Sequence, residues 1–191
     1  MVGSPDPGLA CAPVKKLALV AAVLLLGSAL TWLFVREAWA ISRAKVAQAR
    51  GDCTAVLEAL SGISPSGDDA QFVHEVRAYC HLKAQAWGPA HEAASLAVER
   101  NPKSTQALSY RVTAALQLGE TAAAEEDLGR LISLEPKSTR WFGARAELRA
   151  QRGAWEAAIE DADVVLAETP KDAGMLNVRM HAWHTLGNWE R

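Results

Sequence analysis

Sheet signals are missing from this chain. Alternating runs of Val, Ile or Thr do not occur, whereas alanine and leucine abound, so composition disfavours a sheet-built core and points to an all-α fold. A charge excess is missing too. The formal net charge is -2 over 191 residues, which leaves no basic footprint for nucleic acid. Catalytic signatures are equally scarce: there is no Gly-rich phosphate loop, no nucleophile elbow and no Ser/His/Asp arrangement. Five histidines supply one i, i+3 pair, His181 and His184, but no cysteine or carboxylate cluster completes a metal site around it. The expectation is a chain that is not an enzyme and uses no cofactor or metal.

One long apolar run is present. From Leu17 to Val35 nineteen residues pass without a charge. As a helix they span about 28 Å, close to the hydrocarbon thickness of a bilayer. Lys15, Lys16 and Arg36 flank the run and Trp32 lies near its second end, as at a membrane interface. A cleaved signal peptide would have a shorter apolar region and a small-x-small cleavage site. Residues 1–16 are therefore expected to form a disordered tail and residues 17–36 a single transmembrane helix contacting the lipid bilayer. Basic residues on both sides leave the orientation open. No glycine or proline lies between Trp32 and Gln48, so the helix is expected to run on unbroken.

Beyond it the chain repeats itself. Pro102, Pro136 and Pro170 are spaced by 34 residues, the first two inside identical Pro-Lys-Ser-Thr phrases. Arg43, Arg77, Arg111, Arg145 and Arg179 keep the same period, as do Gly51, Gly119, Gly153 and Gly187. Trp87, Trp155 and Trp189 form another column, and Ala90, Ala124 and Ala158 a fourth. Each register reads as two helices. The first, about fourteen residues long, stops at the glycine, where a left-handed cap carries little strain. The second stops before the proline, which cannot continue a helix, and Ser104 or Ser138 is placed to cap the next. Gln85 stands where the glycine column would fall in one register. Sixteen residues after Arg111 and Arg145 come Asp127 and Asp161, on the antiparallel second helix; these are expected structural ion pairs. Glu58 and Glu92 offer poorer register to Arg43 and Arg77.

These columns resemble the tetratricopeptide repeat family, whose unit is a 34-residue helix–turn–helix. The layout is a degenerate repeat over 37–70, full repeats over 71–104, 105–138 and 139–172, and over 173–191 a capping helix or the first helix of a further repeat. The resemblance implies an α-solenoid that binds proteins through a groove lined by the first helices. In register it points to Phe72, Glu75, Tyr79, Gln106, Ser109, Thr113, Arg140, Glu147, Asn177 and His181. The Lys and Asn with which some members clamp a terminal carboxylate are not evident here.

Stacking the repeats makes Cys53, at the start of one helix, a neighbour of Cys80, late in the next. A disulfide between them is open, with two ordinary buried thiols as the alternative. A bridge would fit repeats on the periplasmic or lumenal side of an inner membrane; cytoplasmic repeats are the alternative. The functional expectation is a membrane-anchored scaffold mediating protein–protein interaction, an accessory or assembly subunit of a membrane complex. The competing reading is an interaction module of a longer protein whose enzymatic part lies beyond Arg191.

Overall fold

The computed structural model describes residues 12–65 and 67–187, with side chains from residue 31 onward except that of residue 68. Among these residues there are nine α-helices, one 3-10 turn and no strand. Helix α1 runs from Ala12 to Ala49 as one 38-residue piece, because neither glycine nor proline interrupts its second half. It absorbs residues 12–16 of the expected tail, Pro13 being tolerated in a first turn; the rest of the tail lies outside the described residues. Leu17–Val35 lies along α1, but its side chains before residue 31 are also outside the described residues. Among the described residues no helix is long and apolar enough to cross a membrane.

Short α2 (Cys53–Ala59) and the 3-10 turn Gly67–Asp69 complete the degenerate first repeat. Helices α3 (Ala70–Lys83) and α4 (Trp87–Arg100) form the second repeat, α5 (Thr105–Leu118) and α6 (Thr121–Leu134) the third. Helices α7 (Thr139–Gln151) and α8 (Trp155–Glu168) form the fourth, and α9 (Ala173–Thr185) follows. Each helix packs on the next, and first helices of successive repeats also touch, α3 with α5 and α7 with α9. The result is a solenoid whose core passes from one repeat to the next. Ala90, Ala124 and Ala158 are fully buried, because the small column lets paired helices approach closely.

The turns follow from residue chemistry. Gly51, Gly119, Gly153 and Gly187 all adopt φ between 71° and 78°, the left-handed region where a Cβ is penalised. Gln85 takes the same role at φ 55° and is the only non-glycine with positive φ among the described residues. Its side chain is exposed, so the strain has no packing reward. Gln85→Gly should raise the unfolding free energy by about 1 kcal/mol, read from urea midpoints, since relief of the left-handed penalty outweighs the freedom glycine adds to the unfolded chain. Ser104 Oγ accepts from Ala107 N–H at 3.1 Å and caps α5. Ser138 occupies the equivalent place before α7 but makes no side-chain cap. Nearby, the Trp141 indole donates to Glu135 Oε2 at 2.7 Å.

Candidate functional site

A cleft opens where three of the first helices meet. There α1 contributes Gln48, α3 contributes Phe72, Glu75 and Tyr79, and α5 contributes Gln106 and Tyr110 around a cleft of about 390 Å³. Helical spacing explains the grouping: 72, 75 and 79 recur at three and four residues, and 106 and 110 are four apart. The Tyr79 and Tyr110 rings meet at 6.0 Å, inclined by 46°. Glu75 accepts hydrogen bonds from Gln71 Nε2 and, at 2.6 Å, from Ser104 Oγ. Burial, and then the charge of Glu75, raise the Tyr110 hydroxyl above its ordinary pKa, so the phenol stays neutral. Lys45 Nζ lies 5.1 Å from the Phe72 ring centre and pairs with Asp69 at 3.0 Å, while Lys83 Nζ stands 5.6 Å from Tyr79. The cleft is thus aromatic-walled with one carboxylate.

Four of the ten groove residues read from the sequence, Phe72, Glu75, Tyr79 and Gln106, come together here. Tyr110 was missed, although it lies one turn after Gln106 on the same face. Ser109 and Thr113 turn back onto their own helix, donating to Gln106 O at 2.8 Å and Ser109 O at 2.9 Å. The Arg140 guanidinium lies 4.4 Å from the Trp141 ring centre, and the His181 and Trp155 rings meet at 5.2 Å, inclined by 46°. Glu147 and Asn177 are exposed on α7 and α9, away from the cleft.

The arginine column is structural in its centre. Arg111 Nε and Nη2 donate to Asp127 at 2.6 and 2.7 Å, and Arg145 Nε and Nη2 donate to Asp161 at 2.8 Å each. Both acids are buried, and the hydrogen bonds from these arginines, which outweigh burial, hold the guanidinium pKa values up. Arg130 joins Asp127 at 3.3 Å. Arg149 bridges Glu125 at 2.8 Å and Asp161 at 2.9 Å, tying the third repeat to the fourth. The register fails at the ends. Instead of Glu92, Arg77 Nη2 finds the carbonyls of Leu60 and Ile63, each at 2.6 Å, at the end of α2. Arg43 lies over its own neighbour Trp39 at 4.8 Å rather than on Glu58. Arg179 reaches back to Asp163 at 2.8 Å.

Cys53 and Cys80 are neighbours, but both are free thiols, so the bridge left open above is not formed in this structure. Burial, then hydrogen-bonding contact with Cys53, push the Cys80 thiol up to about 12, which keeps it protonated and inert. Cys80 packs with Val56, Leu60, Val73 and Val76. Two turns earlier on α3, His74 is buried, and its Nδ1 has no hydrogen-bond partner. Burial first, then Arg77 and Arg100, depress its pKa below the ordinary 6.5. The neutral form is therefore favoured on folding. Stability from this residue is complete above pH 6.5 and lost as pH falls through the folded value. Thermal unfolding at pH 7.5 and 5.5 should show a drop that His74→Leu reduces. No group of three or more His, Cys, Asp or Glu residues that could hold a metal occurs among the described residues.

Solved structures share this architecture. A tetratricopeptide repeat protein from Parabacteroides merdae ATCC 43184 matches with a TM-score of 0.69 at 18% identity, over 81% of this chain and 62% of that one. This chain thus spans less than two thirds of that protein. MamA matches with a TM-score of 0.71 at 15% identity, over 80% of this chain and 84% of MamA. The first tetratricopeptide repeat domain of Spaghetti (RPAP3), bound to the HSP90 peptide SRMEEVD, matches with a TM-score of 0.57 at 19% identity, over 63% of this chain and 96% of that domain. No family model matches the sequence. The fold is that of a tetratricopeptide repeat solenoid.

Proposed function

We propose that this chain is a membrane-anchored scaffold that holds a segment of another protein in the cleft between α1, α3 and α5, as an accessory or assembly subunit of a membrane complex. The observation that carries this is the cleft itself, which no single repeat could build. Three successive first helices supply its walls, and Phe72, Tyr79 and Tyr110 offer rigid apolar area at low entropic cost. A related domain of this fold carries the peptide SRMEEVD. Glu75 disfavours so acidic a ligand here; the cleft suits a segment presenting an apolar or cationic side chain. The anchor rests on the uncharged run Leu17–Val35, continuous with the helix that enters the first repeat.

The test uses the full chain purified from membranes with its associated proteins. Glu75→Lys combined with Tyr79→Ala changes one half-buried and one exposed cleft residue and should cut recovery of those proteins about tenfold, a hot-spot effect, while the chain stays folded by circular dichroism. Unchanged recovery removes the cleft from the account. Release of the chain from membranes by alkaline carbonate removes the anchor.

A further inference from the structure

The repeat period turns exposure into a question about what is missing. At the column begun by Trp39, the later members Val73, Ala107, Trp141 and Met175 are at most 7% exposed. At the column begun by Val46, the later members Cys80, Ala114, Leu148 and Ala182 are at most 2% exposed. Trp39 itself is 62% exposed and Val46 50%. What buries the later residues is the second helix of the preceding repeat. Val73 and Cys80 pack with Val56 and Leu60 of α2, Ala107 clusters with Ala97 and Val98 of α4, and Met175 with Val165 and Leu166 of α8. Among the described residues no such helix packs on this face of α1. Instead there is an open groove of about 270 Å³, lined by Trp39, Ser42, Arg43, Val46 and Arg50 together with Ala55 of α2.

We infer that this groove docks an amphipathic helix of another protein, seated on α1 as α2 is seated on α3, with carboxylates beside its apolar seam. Charge argues for the carboxylates. Arg43 and Arg50 line the groove, and Arg36 continues the same seven-residue spacing. The one acid in the lining, Asp52, already accepts from Ala55 N–H at the start of α2. Arg43 is also the register partner of Arg77, whose guanidinium is held by carbonyls at the end of the covering helix.

Charge also argues against a second copy of this chain. Antiparallel pairing through this face sets arginine against arginine, and parallel pairing sets Arg50 against Lys45. The inference is independent of the cleft between α1, α3 and α5.

The test is photocrosslinking in cells expressing the full chain, with p-benzoylphenylalanine in place of Ser42, Val46 or, as a distant control, Glu160. The expected result is an adduct with one other protein from positions 42 and 46 and none from 160. Its crosslinked segment should carry apolar residues at i, i+3, i+4 and i+7 with Asp or Glu beside them. Arg43→Glu with Arg50→Glu should lower the yield about tenfold, by opposing the partner's charge. Trp39→Ala, which removes an exposed ring and leaves the core intact, should lower it as well without shifting thermal unfolding. Adducts to lipid alone, an adduct of twice the chain's mass, equal yield at 160, a basic crosslinked segment, no adduct, or yields indifferent to these substitutions would each overturn the inference.

Discussion

Asp161→Ala should lower the unfolding free energy by about 3–5 kcal/mol, the cost of stranding a buried ion-pair partner. Asp161 is 3% exposed and accepts from Arg145 Nε, Arg145 Nη2 and Arg149 Nη1. Its loss leaves two guanidinium groups facing a helix–helix contact with too few acceptors. The charge itself is not what the fold requires. Arg145→Met with Asp161→Leu replaces both ions by apolar groups of similar size and should recover most of the loss. Urea unfolding of the three proteins measures this. A cost below about 1 kcal/mol for Asp161→Ala would put the pair among ordinary surface bridges, and the arginine column would then be available for ligands.

Leu128→Ala should cost about 2–5 kcal/mol, from lost transfer energy and the cavity left behind. Leu128 is fully buried in the cluster that joins Ala97 and Val98 of α4, Leu108 and Val112 of α5, and Trp141 and Leu148 of α7. A solenoid has no contacts across its length to compensate, because each repeat touches only its neighbours. The cavity therefore weakens the link between its two halves. Hydrogen exchange should accelerate in α7, α8 and α9 more than in α3. Uniform acceleration would mean that the repeats unfold as one unit.

The periodic features were legible in the sequence because each is stated several times. The 34-residue columns of proline and glycine mark the turns that bound α5 to α8, and the sixteen-residue offset sets Asp127 and Asp161 opposite their arginines. What was not legible depends on single events. Gln85 adopts a left-handed turn because its neighbours' glycines dictate the path, not because glutamine favours it. Arg77 takes backbone carbonyls, and carbonyls leave no mark in a sequence. Ser138 has the right place for a cap, yet no side-chain bond forms. In the cleft, Tyr110 was hidden because its column is otherwise occupied by Val76 and Ala144, residues with no binding chemistry. The family register marked ten groove residues, but register alone cannot tell Ser109 and Thr113, which bond their own backbone, from Tyr79, which does not.

The cleft formed by three first helices is where a partner would be held. Hydrogen–deuterium exchange of the full chain, alone and in the complex purified from membranes, tests it most directly. Protection on complex formation should centre on Phe72–Tyr79 of α3 and Gln106–Thr113 of α5. Protection confined to α4, α6 and α8, with those two segments unchanged, would contradict it.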